Sequence, residues 1–370
     1  VWQKYGEPDL IPLTTADMDF RTAPAVIHAL REAVERGIFG YPAAMDGYFE
    51  AVMERMEQFR GWHVDRDWIC RSPGIVNGVA YIIQGLTKPG DRIVLPSPMY
   101  HPFAHLIADN GRELSRTSMI LRDGRYELDF QDLEKKLADS RASLLIFCSP
   151  HNPVGRVWTR DELMRMYEIC KKNNTLIVSD EIHGDIVYAP HRHIPYFSLS
   201  EEIGDNVIVM GSPSKTFNLA CFYSAYVVIK NKALRDQYNV VYDDYHFDYN
   251  YVGIEALITA YNQCEYYVDQ QNEYFRKNIE LVKSFIAENM PEVKVIEPEA
   301  SYLLWIDFRA WNLTPFELVH LFQDAGVKLN NGANYGKPGM GFIRLNVATQ
   351  TAVLEKALEC MKKASEKRPK

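Results

Sequence analysis

The sequence predicts an α/β fold with a large domain, in which helices flank a mostly parallel sheet. It also predicts a smaller α+β C-terminal domain joined by the N-terminal segment. Between residues 92 and 229, short apolar runs alternate with longer segments of helical periodicity. From about residue 265 the pattern changes to long amphipathic stretches. A chain of 370 residues, 47% of them hydrophobic, is long and apolar enough to form a large core in two domains.

Five apolar runs predict the strands of the sheet, because strands buried on both faces are apolar along their whole length. These runs are RIVL at 92–95, LLIFC at 144–148, TLIVSD at 175–180, NVIVM at 206–210 and AYVVI at 225–229. Between the second and third runs, Thr159 and Glu162 have the spacing of a capping box. The apolar residues that follow fall on one helical face, so we expect a crossover helix there.

The C-terminal part combines helical stretches with strands. Amphipathic helices are predicted at 275–287 and 315–325, and strands at 302–308 and 341–348. We therefore expect three units: an N-terminal segment over residues 1–24 that packs with the small domain, a large domain over 25–264, and the small domain over 265–370.

The charge balance excludes some classes of partner. Lys and Arg number 41 against 49 Asp and Glu, a net charge of −8, which offers no general attraction for nucleic acid or an anionic membrane. The six cysteines form no CxxC pair, so neither a zinc cage nor a disulfide framework is indicated. No apolar run is long enough to span a bilayer, and residues 1–4 do not resemble a signal peptide. A cytoplasmic location is expected.

The residues that follow the predicted strands carry the chemistry. Ligands of open α/β sheets bind beyond the carboxyl ends of the strands. Tyr100 follows the first run, Asn152 the second, Asp180 ends the third, and Lys215 follows the fourth. One aromatic ring, one amide, one carboxylate and one lysine are therefore expected to converge at one edge of the sheet.

This ordered set, with Asn-Pro-x-Gly at 152–155 and a late Arg344, resembles the aspartate-aminotransferase-like superfamily (class I/II, fold type I) of pyridoxal-phosphate enzymes. The intervals are 180 − 152 = 28 and 215 − 180 = 35 residues. Within the superfamily the chain looks most like the cystathionine β-lyase type of carbon–sulfur lyase. Four segments carry that likeness: 16–20 (ADMDF), 180–183 (DEIH), 191–195 (HRHIP) and 214–218 (SKTFN).

The resemblance implies pyridoxal 5'-phosphate as the cofactor and Lys215, Tyr100 and Asp180 as catalytic residues. Lys215 would bind the cofactor as a Schiff base and later take the substrate Cα proton, given a lowered pKa. Asp180 would keep the ring nitrogen protonated, since a nearby opposite charge favours the charged form. Asn152 would donate to the phenolic oxygen, and Tyr100 would stack on the ring.

The resemblance also implies a phosphate site and a neighbouring subunit. Ile75 and Val76 stand in the loop at 73–78, before a helical segment at 79–86, and a helix N-terminus with backbone donors suits phosphate. Ser212 would add a hydroxyl, and His183 would lie near the cofactor. Tyr41 would reach the phosphate of the second subunit, which predicts a homodimer.

The same resemblance implies that the substrate is bound by Arg344, Asp19 and Tyr100. The planar guanidinium of Arg344 suits bidentate capture of the substrate α-carboxylate. The expected partner is a small amino acid, with no nucleic acid and no membrane.

Three activities stay open at this point. The first is a β-lyase that converts L-cysteine S-conjugates such as cystathionine to a thiol, pyruvate and ammonia. The alternative is an aminotransferase that uses a keto-acid acceptor, because both reactions need the same electron sink, base and carboxylate clamp. The third, a binding or regulatory protein on the same fold, is disfavoured by the retained Lys215, Asp180 and Asn152.

Two features of the sequence complicate this interpretation. Acids and histidines crowd the window 180–193, but no HExxH spacing is present, and we expect no metal site. Cys221 stands where members of this type usually have glycine after the lysine motif. Only glycine adopts positive φ freely, so the backbone beside Lys215 could differ.

Overall fold

The computed structural model describes residues 10–41, 46–247 and 250–368. The strands in these ranges are β1 (Ile11–Pro12), β2 (Ile69–Ser72), β3 (Arg92–Ser97), β4 (Glu113–Arg122), β5 (Arg125–Leu128), β6 (Ala142–Cys148), β7 (Leu176–Asp180), β8 (Val207–Gly211), β9 (Ala225–Ile229), β10 (Lys294–Val295), β11 (Leu303–Asp307), β12 (Val327–Lys328), β13 (Asn330–Asn331) and β14 (Phe342–Asn346).

The helices in the same ranges are α1 (Pro24–Glu35), α2 (Asp46–Arg60), α3 (Ile75–Leu86), α4 (His101–Asp109), α5 (Phe130–Leu137), α6 (Arg160–Lys172), α7 (Lys232–Asp244), α8 (Tyr251–Gln263), α9 (Glu265–Asn289), α10 (Pro315–Asp324) and α11 (Thr351–Lys367).

Eight strands form the large sheet in the order β2-β9-β8-β7-β6-β3-β4-β5. The five central strands, in the sheet order β8-β7-β6-β3-β4, are parallel to one another. This confirms the predicted mostly parallel α/β architecture. The run at 225–229 is a strand, as predicted, but β9 lies antiparallel to β8. Burial on both faces gives parallel and antiparallel central strands the same apolar pattern, so the sequence could not distinguish the two directions.

The sheet separates two apolar cores. Leu145 and Phe147 of β6 belong to one core, and Leu144 and Ile146 belong to the other. This alternation follows the two-residue period of a strand and explains why the whole run is apolar. The crossover helix α6 follows β6, and its capping box at Thr159 and Glu162 is present as predicted.

A smaller antiparallel sheet, ordered β10-β11-β14-β13, stands at the C-terminal end. A third core joins this sheet to α9, α10 and α11, and it includes Ile11, Leu13 and Met18 from the N-terminal segment. β1 also pairs in parallel with β12. The exact domain boundaries at residues 24 and 264 stay a prediction.

Strands β2, β4 and β5 were not anticipated. β4 and β5 carry charged side chains on a partly exposed edge, so they lack the continuous apolar run that identified the central strands. Among the helices of the described ranges, none is both long and apolar enough to cross a bilayer.

Candidate active site

A cavity of about 460 Å³ opens at the carboxyl ends of β3, β6, β7 and β8. Nine of the predicted site residues line it: Ile75, Val76, Tyr100, Asn152, Asp180, His183, Ser212, Lys215 and Arg344. Two do not. Asp19 lies outside the lining, where its Oδ2 accepts a hydrogen bond from Thr349 Oγ1 at 2.8 Å, and Tyr41 is 90% exposed to solvent.

Lys215 stands in the turn that follows β8. Its Nζ donates to the carbonyl oxygen of Ala16 at 2.5 Å. Asn218, three residues on, accepts from the backbone N–H of Met18 and donates to the carbonyls of Met18 and Phe20. The N-terminal segment is thus fastened to the lysine turn and forms one wall of the cavity.

Asp180 ends β7 at the base of the cavity and is only 4% exposed. Its Oδ1 accepts from the backbone N–H of Ile182 at 3.2 Å, and the Cys148 thiol lies 3.7 Å from Oδ2. Burial raises the pKa of Asp180 from 3.8 to about 6, although the positive charge of Lys215 opposes the shift. A buried carboxylate of this kind is suited to a cationic ligand group, such as a protonated ring nitrogen.

Tyr100 stands at the N-cap position of α4 and is half-buried, with its ring packed edge-on to Phe103 at 5.3 Å. Burial raises the pKa of Tyr100, and the nearby carboxylate of Asp180 raises it further. The phenol therefore stays protonated at neutral pH and presents a flat aromatic wall to the cavity.

The end of the cavity formed by α3 has the donors that a phosphate requires. α3 begins at Ile75, so the backbone N–H groups of Ile75 and Val76 belong to the first turn, which has no preceding carbonyls to pair with. The Ser212 hydroxyl also lines the cavity, and it donates to the carbonyl of Ser224 at 2.6 Å. Backbone donors and a helix dipole form a site for a phosphate dianion.

Arg344 projects from β14 and is almost fully buried. Its Nη2 donates to the Thr14 carbonyl at 2.8 Å, its Nη1 donates to Asn152 Oδ1 at 3.2 Å, and its guanidinium lies over the Tyr335 ring. These oxygens are neutral and leave the positive charge to attract a ligand carboxylate. The contact with Arg344 also occupies the amide oxygen of Asn152, so its NH₂ group is the part that can donate to a ligand.

His183 lines the cavity with its ring buried, and its Nδ1 lies 3.3 Å from Ser301 Oγ. Burial, reinforced by the charges of Lys215 and Arg344, lowers the pKa of His183 to about 3. Its imidazole is therefore neutral at physiological pH.

The acids near His183 are engaged in ion pairs. Asp185 lies 3.2 Å from Arg55 Nη2 and 3.0 Å from Arg60 Nη2, and Glu181 lies 2.8 Å from His193 Nε2. No cluster of three or more potential metal ligands occurs in the described part of the chain. Asp185, one of the acids that suggested a metal site, is therefore paired with arginines that lie far away in the sequence.

Cys221 lies on an exposed 3-10 turn, and its φ is not positive. The left-handed residues of this loop are Asn218 and Tyr223, with φ of 57° and 48°. The loss of glycine at position 221 therefore imposes no strain on the backbone beside Lys215.

Sequence reasoning missed several other lining residues: Thr14, Thr15, Ala16, His101, Asn330 and Tyr223. Thr14 and Thr15 directly precede the motif at 16–20 and Ala16 is its first residue, so this motif was the available signal for that wall. Asn330 follows no apolar run of the large sheet and could not have been found.

The comparisons with known proteins agree over nearly the whole chain. A family model described as "Aminotransferase class I and II" matches residues 8–360. "Cystathionine beta-lyase PatB" of Bacillus subtilis is 37% identical over 369 residues, covering 98% of this chain and 95% of the relative. A pyridoxal-phosphate-bound putative aminotransferase from Clostridium difficile is 38% identical with a TM-score of 0.95, covering 98% and 94% of the two chains. Cystalysin from Treponema denticola, which contains pyridoxal 5'-phosphate, is 33% identical with a TM-score of 0.95, covering 99% and 94%.

Proposed function

This chain belongs to the family of class I and II aminotransferases, and on that premise we propose the substrate and the residue roles of a pyridoxal-phosphate-dependent carbon–sulfur β-lyase. The substrate class is the L-cysteine S-conjugates, such as cystathionine. With one water, each conjugate gives a thiol, pyruvate and ammonia. The observation that carries this choice is the 37% identity to a cystathionine beta-lyase over 98% of the chain.

The residues of the cavity fit the cofactor at three points: a helix N-terminus for the phosphate, a buried carboxylate for the ring nitrogen and a lysine for the covalent link. When bound, pyridoxal phosphate supplies an electron sink for the pair released at the substrate Cα. Lys215 would hold the cofactor covalently through Nζ, and as a free amine Nζ would take the substrate Cα proton. The Ala16 carbonyl, 2.5 Å away, holds that amine at the cavity wall.

Three other side chains hold the cofactor ring in this proposal. Asp180 pairs with the protonated ring nitrogen, and the pairing relieves the cost of burying its carboxylate. Asn152 donates its NH₂ group to the phenolic oxygen. Tyr100 stacks on the ring and excludes water from one face.

The phosphate is held by the backbone N–H groups of Ile75 and Val76, and Ser212 joins them when its hydroxyl proton turns from the Ser224 carbonyl to the phosphate. His183 stays neutral and packs at the side of the ring, so it adds no charge that would compete with Asp180.

Arg344 binds the substrate α-carboxylate through a charge-assisted pair of hydrogen bonds. The neutral oxygens of Thr14 and Asn152 orient the guanidinium in advance. The family resemblance implies that Asp19 contributes to substrate binding. Asp19 accepts a hydrogen bond from Thr349 outside the cavity lining, and we propose that it acts indirectly, by positioning the wall on the substrate side.

We also propose that the enzyme is a homodimer. Ile38, Phe39 and Tyr41 are all more than 60% exposed and form an apolar segment after α1. A second copy would cover this segment and receive Tyr41 at its phosphate site. Gel filtration of Tyr41→Ala tests whether the segment stabilises the dimer. A cytoplasmic location is carried over from the sequence as a prediction.

The decisive assay is turnover of cystathionine with and without a keto-acid acceptor. We expect pyruvate and ammonia without acceptor, whereas product that strictly requires the acceptor would identify an aminotransferase. Lys215→Ala should abolish turnover and the visible absorbance of the bound cofactor. Lys277→Ala, an exposed position on α9, is the matched control and should change neither. A protein that cannot be reconstituted with the cofactor would contradict the proposal.

A further inference from the structure

The charges of the cavity wall suggest which cysteine conjugates the enzyme prefers. We infer that it selects conjugates whose leaving group carries no net charge and discriminates against an acidic leaving group, with His101 as a specificity-determining residue. This inference rests on the proposed lyase function and narrows its substrate class.

Positive charge in the cavity is limited. Among the lining residues in the described part of the chain, the cationic side chains are Lys215 and Arg344. Lys215 is used by the chemistry, and the α-carboxylate of the substrate neutralises Arg344. No cation of the described lining is then left for a second carboxylate, which would lose water without gaining a partner, and the segment at 38–41 that a second copy would bring to the site carries no charge.

The groups that flank Arg344 are polar but neutral. Asn330 faces Arg344 across the β13–β14 pairing, and both side chains donate to the Thr14 carbonyl. His101 lines the cavity, and its ring lies edge-on to Tyr335 at 5.5 Å, the same ring that carries the Arg344 guanidinium. Together these residues surround the guanidinium of Arg344 with amide, imidazole and phenol groups.

His101 itself does not supply the missing charge. Burial lowers its pKa, and the guanidinium of Arg344 lowers it further, so the imidazole is neutral at physiological pH. Its Nδ1 is buried and has no hydrogen-bond partner among the described residues. A neutral donor and acceptor at this point suits an amide, a thioether or a zwitterion such as the distal end of cystathionine.

A matched pair of substrates tests the inference on the holoenzyme. S-(carbamoylmethyl)-L-cysteine and S-(carboxymethyl)-L-cysteine have the same number of heavy atoms and differ only in a terminal amide or carboxylate. Both can be eliminated to a thiol, pyruvate and ammonia. We expect kcat/KM to be at least about tenfold higher for the amide, a ratio equivalent to about 1.4 kcal/mol. Equal values, or a faster carboxylate, would overturn the inference.

A charge-introducing variant tests the part assigned to His101. His101→Arg places a guanidinium on the cavity wall and should lower the amide-to-carboxylate ratio by about tenfold. His320→Arg adds the same charge at an exposed position on α10 and should leave the ratio unchanged. An unchanged ratio in a folded His101→Arg protein would refute the role of His101.

A binding measurement separates this inference from the lyase proposal. L-glutamine and L-glutamate have no leaving group at Cβ, and their binding is read from the visible absorbance of the holoenzyme. Glutamine should bind about tenfold more tightly. If neither cysteine conjugate is eliminated, the lyase proposal fails, but the ratio of these two affinities still tests the charge preference. Equal affinities would count against it.

Discussion

Replacement of Asp180 by asparagine should stabilise the cofactor-free protein while it impairs the enzyme. Burial raises the pKa of Asp180 from 3.8 to about 6. Each pKa unit corresponds to about 1.36 kcal/mol, so the ionised carboxylate costs the folded state about 3 kcal/mol at neutral pH. Asparagine has nearly the same shape and no charge, and it removes this cost. We therefore expect Asp180→Asn to raise the free energy of unfolding by about 3 kcal/mol.

The pH dependence of this difference follows from the direction of the shift. A raised pKa means that folded Asp180 binds its proton more tightly than it does in the unfolded chain. The parent protein therefore regains stability as the pH falls through about 6. The advantage of Asp180→Asn should be complete near about pH 7.5 and should shrink to about half near pH 5.

The assay is urea unfolding of cofactor-free protein, followed by tryptophan fluorescence at both pH values. Asp185→Asn is the matched control, since Asp185 is also buried but faces Arg55 and Arg60. The charges of these arginines outweigh burial and hold the pKa of Asp185 below its ordinary value. The ionised carboxylate of Asp185 therefore stabilises the folded protein at neutral pH, and this stabilisation is lost in acid. Asp185→Asn should destabilise the protein by about 3–5 kcal/mol at neutral pH. If Asp180→Asn is also destabilising at neutral pH, the reasoning is wrong.

Three further changes test the substrate clamp at Arg344 and the packing of the fold. Arg344→Lys keeps the charge but loses the planar fork, so KM should rise roughly 10- to 100-fold in steady-state assays, equivalent to about 1.5–3 kcal/mol; an unchanged KM would place the carboxylate elsewhere. Gly253→Ala should lower the free energy of unfolding by about 1–3 kcal/mol, because the added methyl would lie 2.5 Å from the backbone carbonyl oxygen of Phe222, which also accepts a hydrogen bond from Asn250. Trp158→Phe should cost about 1–3 kcal/mol in the same urea titration, since the buried Cys148 carbonyl loses the indole donor at 2.8 Å; no change would mean that water replaces it.

The sequence predicted the parts of the fold and site that depend on local pattern. The five apolar runs are strands, and the residues that follow four of them line one cavity. Both results follow from one rule, because parallel strands that read as continuous apolar runs end at the same edge. Lys215 and Asp180 were accessible to sequence reasoning for this reason.

The features of the site that the sequence did not predict depend on contacts between residues that are far apart in the chain. Nothing near Ala16 in the sequence indicates that its carbonyl accepts from Lys215, 199 positions later. The same holds for Asp185, whose arginine partners come from α2, more than a hundred residues earlier. Ion pairs of this kind have no period and no fixed spacing, so an acidic window cannot be distinguished from a metal site until the partners are known.

Asp180 and Asp185 are separated by only five positions, yet the fold treats the two carboxylates in opposite ways. It supplies two arginines to Asp185, whereas the protein contacts of Asp180 are a backbone N–H and a thiol. Two buried aspartates with the same intrinsic pKa thus acquire shifts of opposite sign. Binding of a cation at Asp180 would relieve a cost already present in the folded chain, and a ligand that binds only the folded state stabilises it. The cofactor is therefore expected to contribute to the stability of the enzyme as well as to its chemistry, and Asp180→Asn should weaken that coupling.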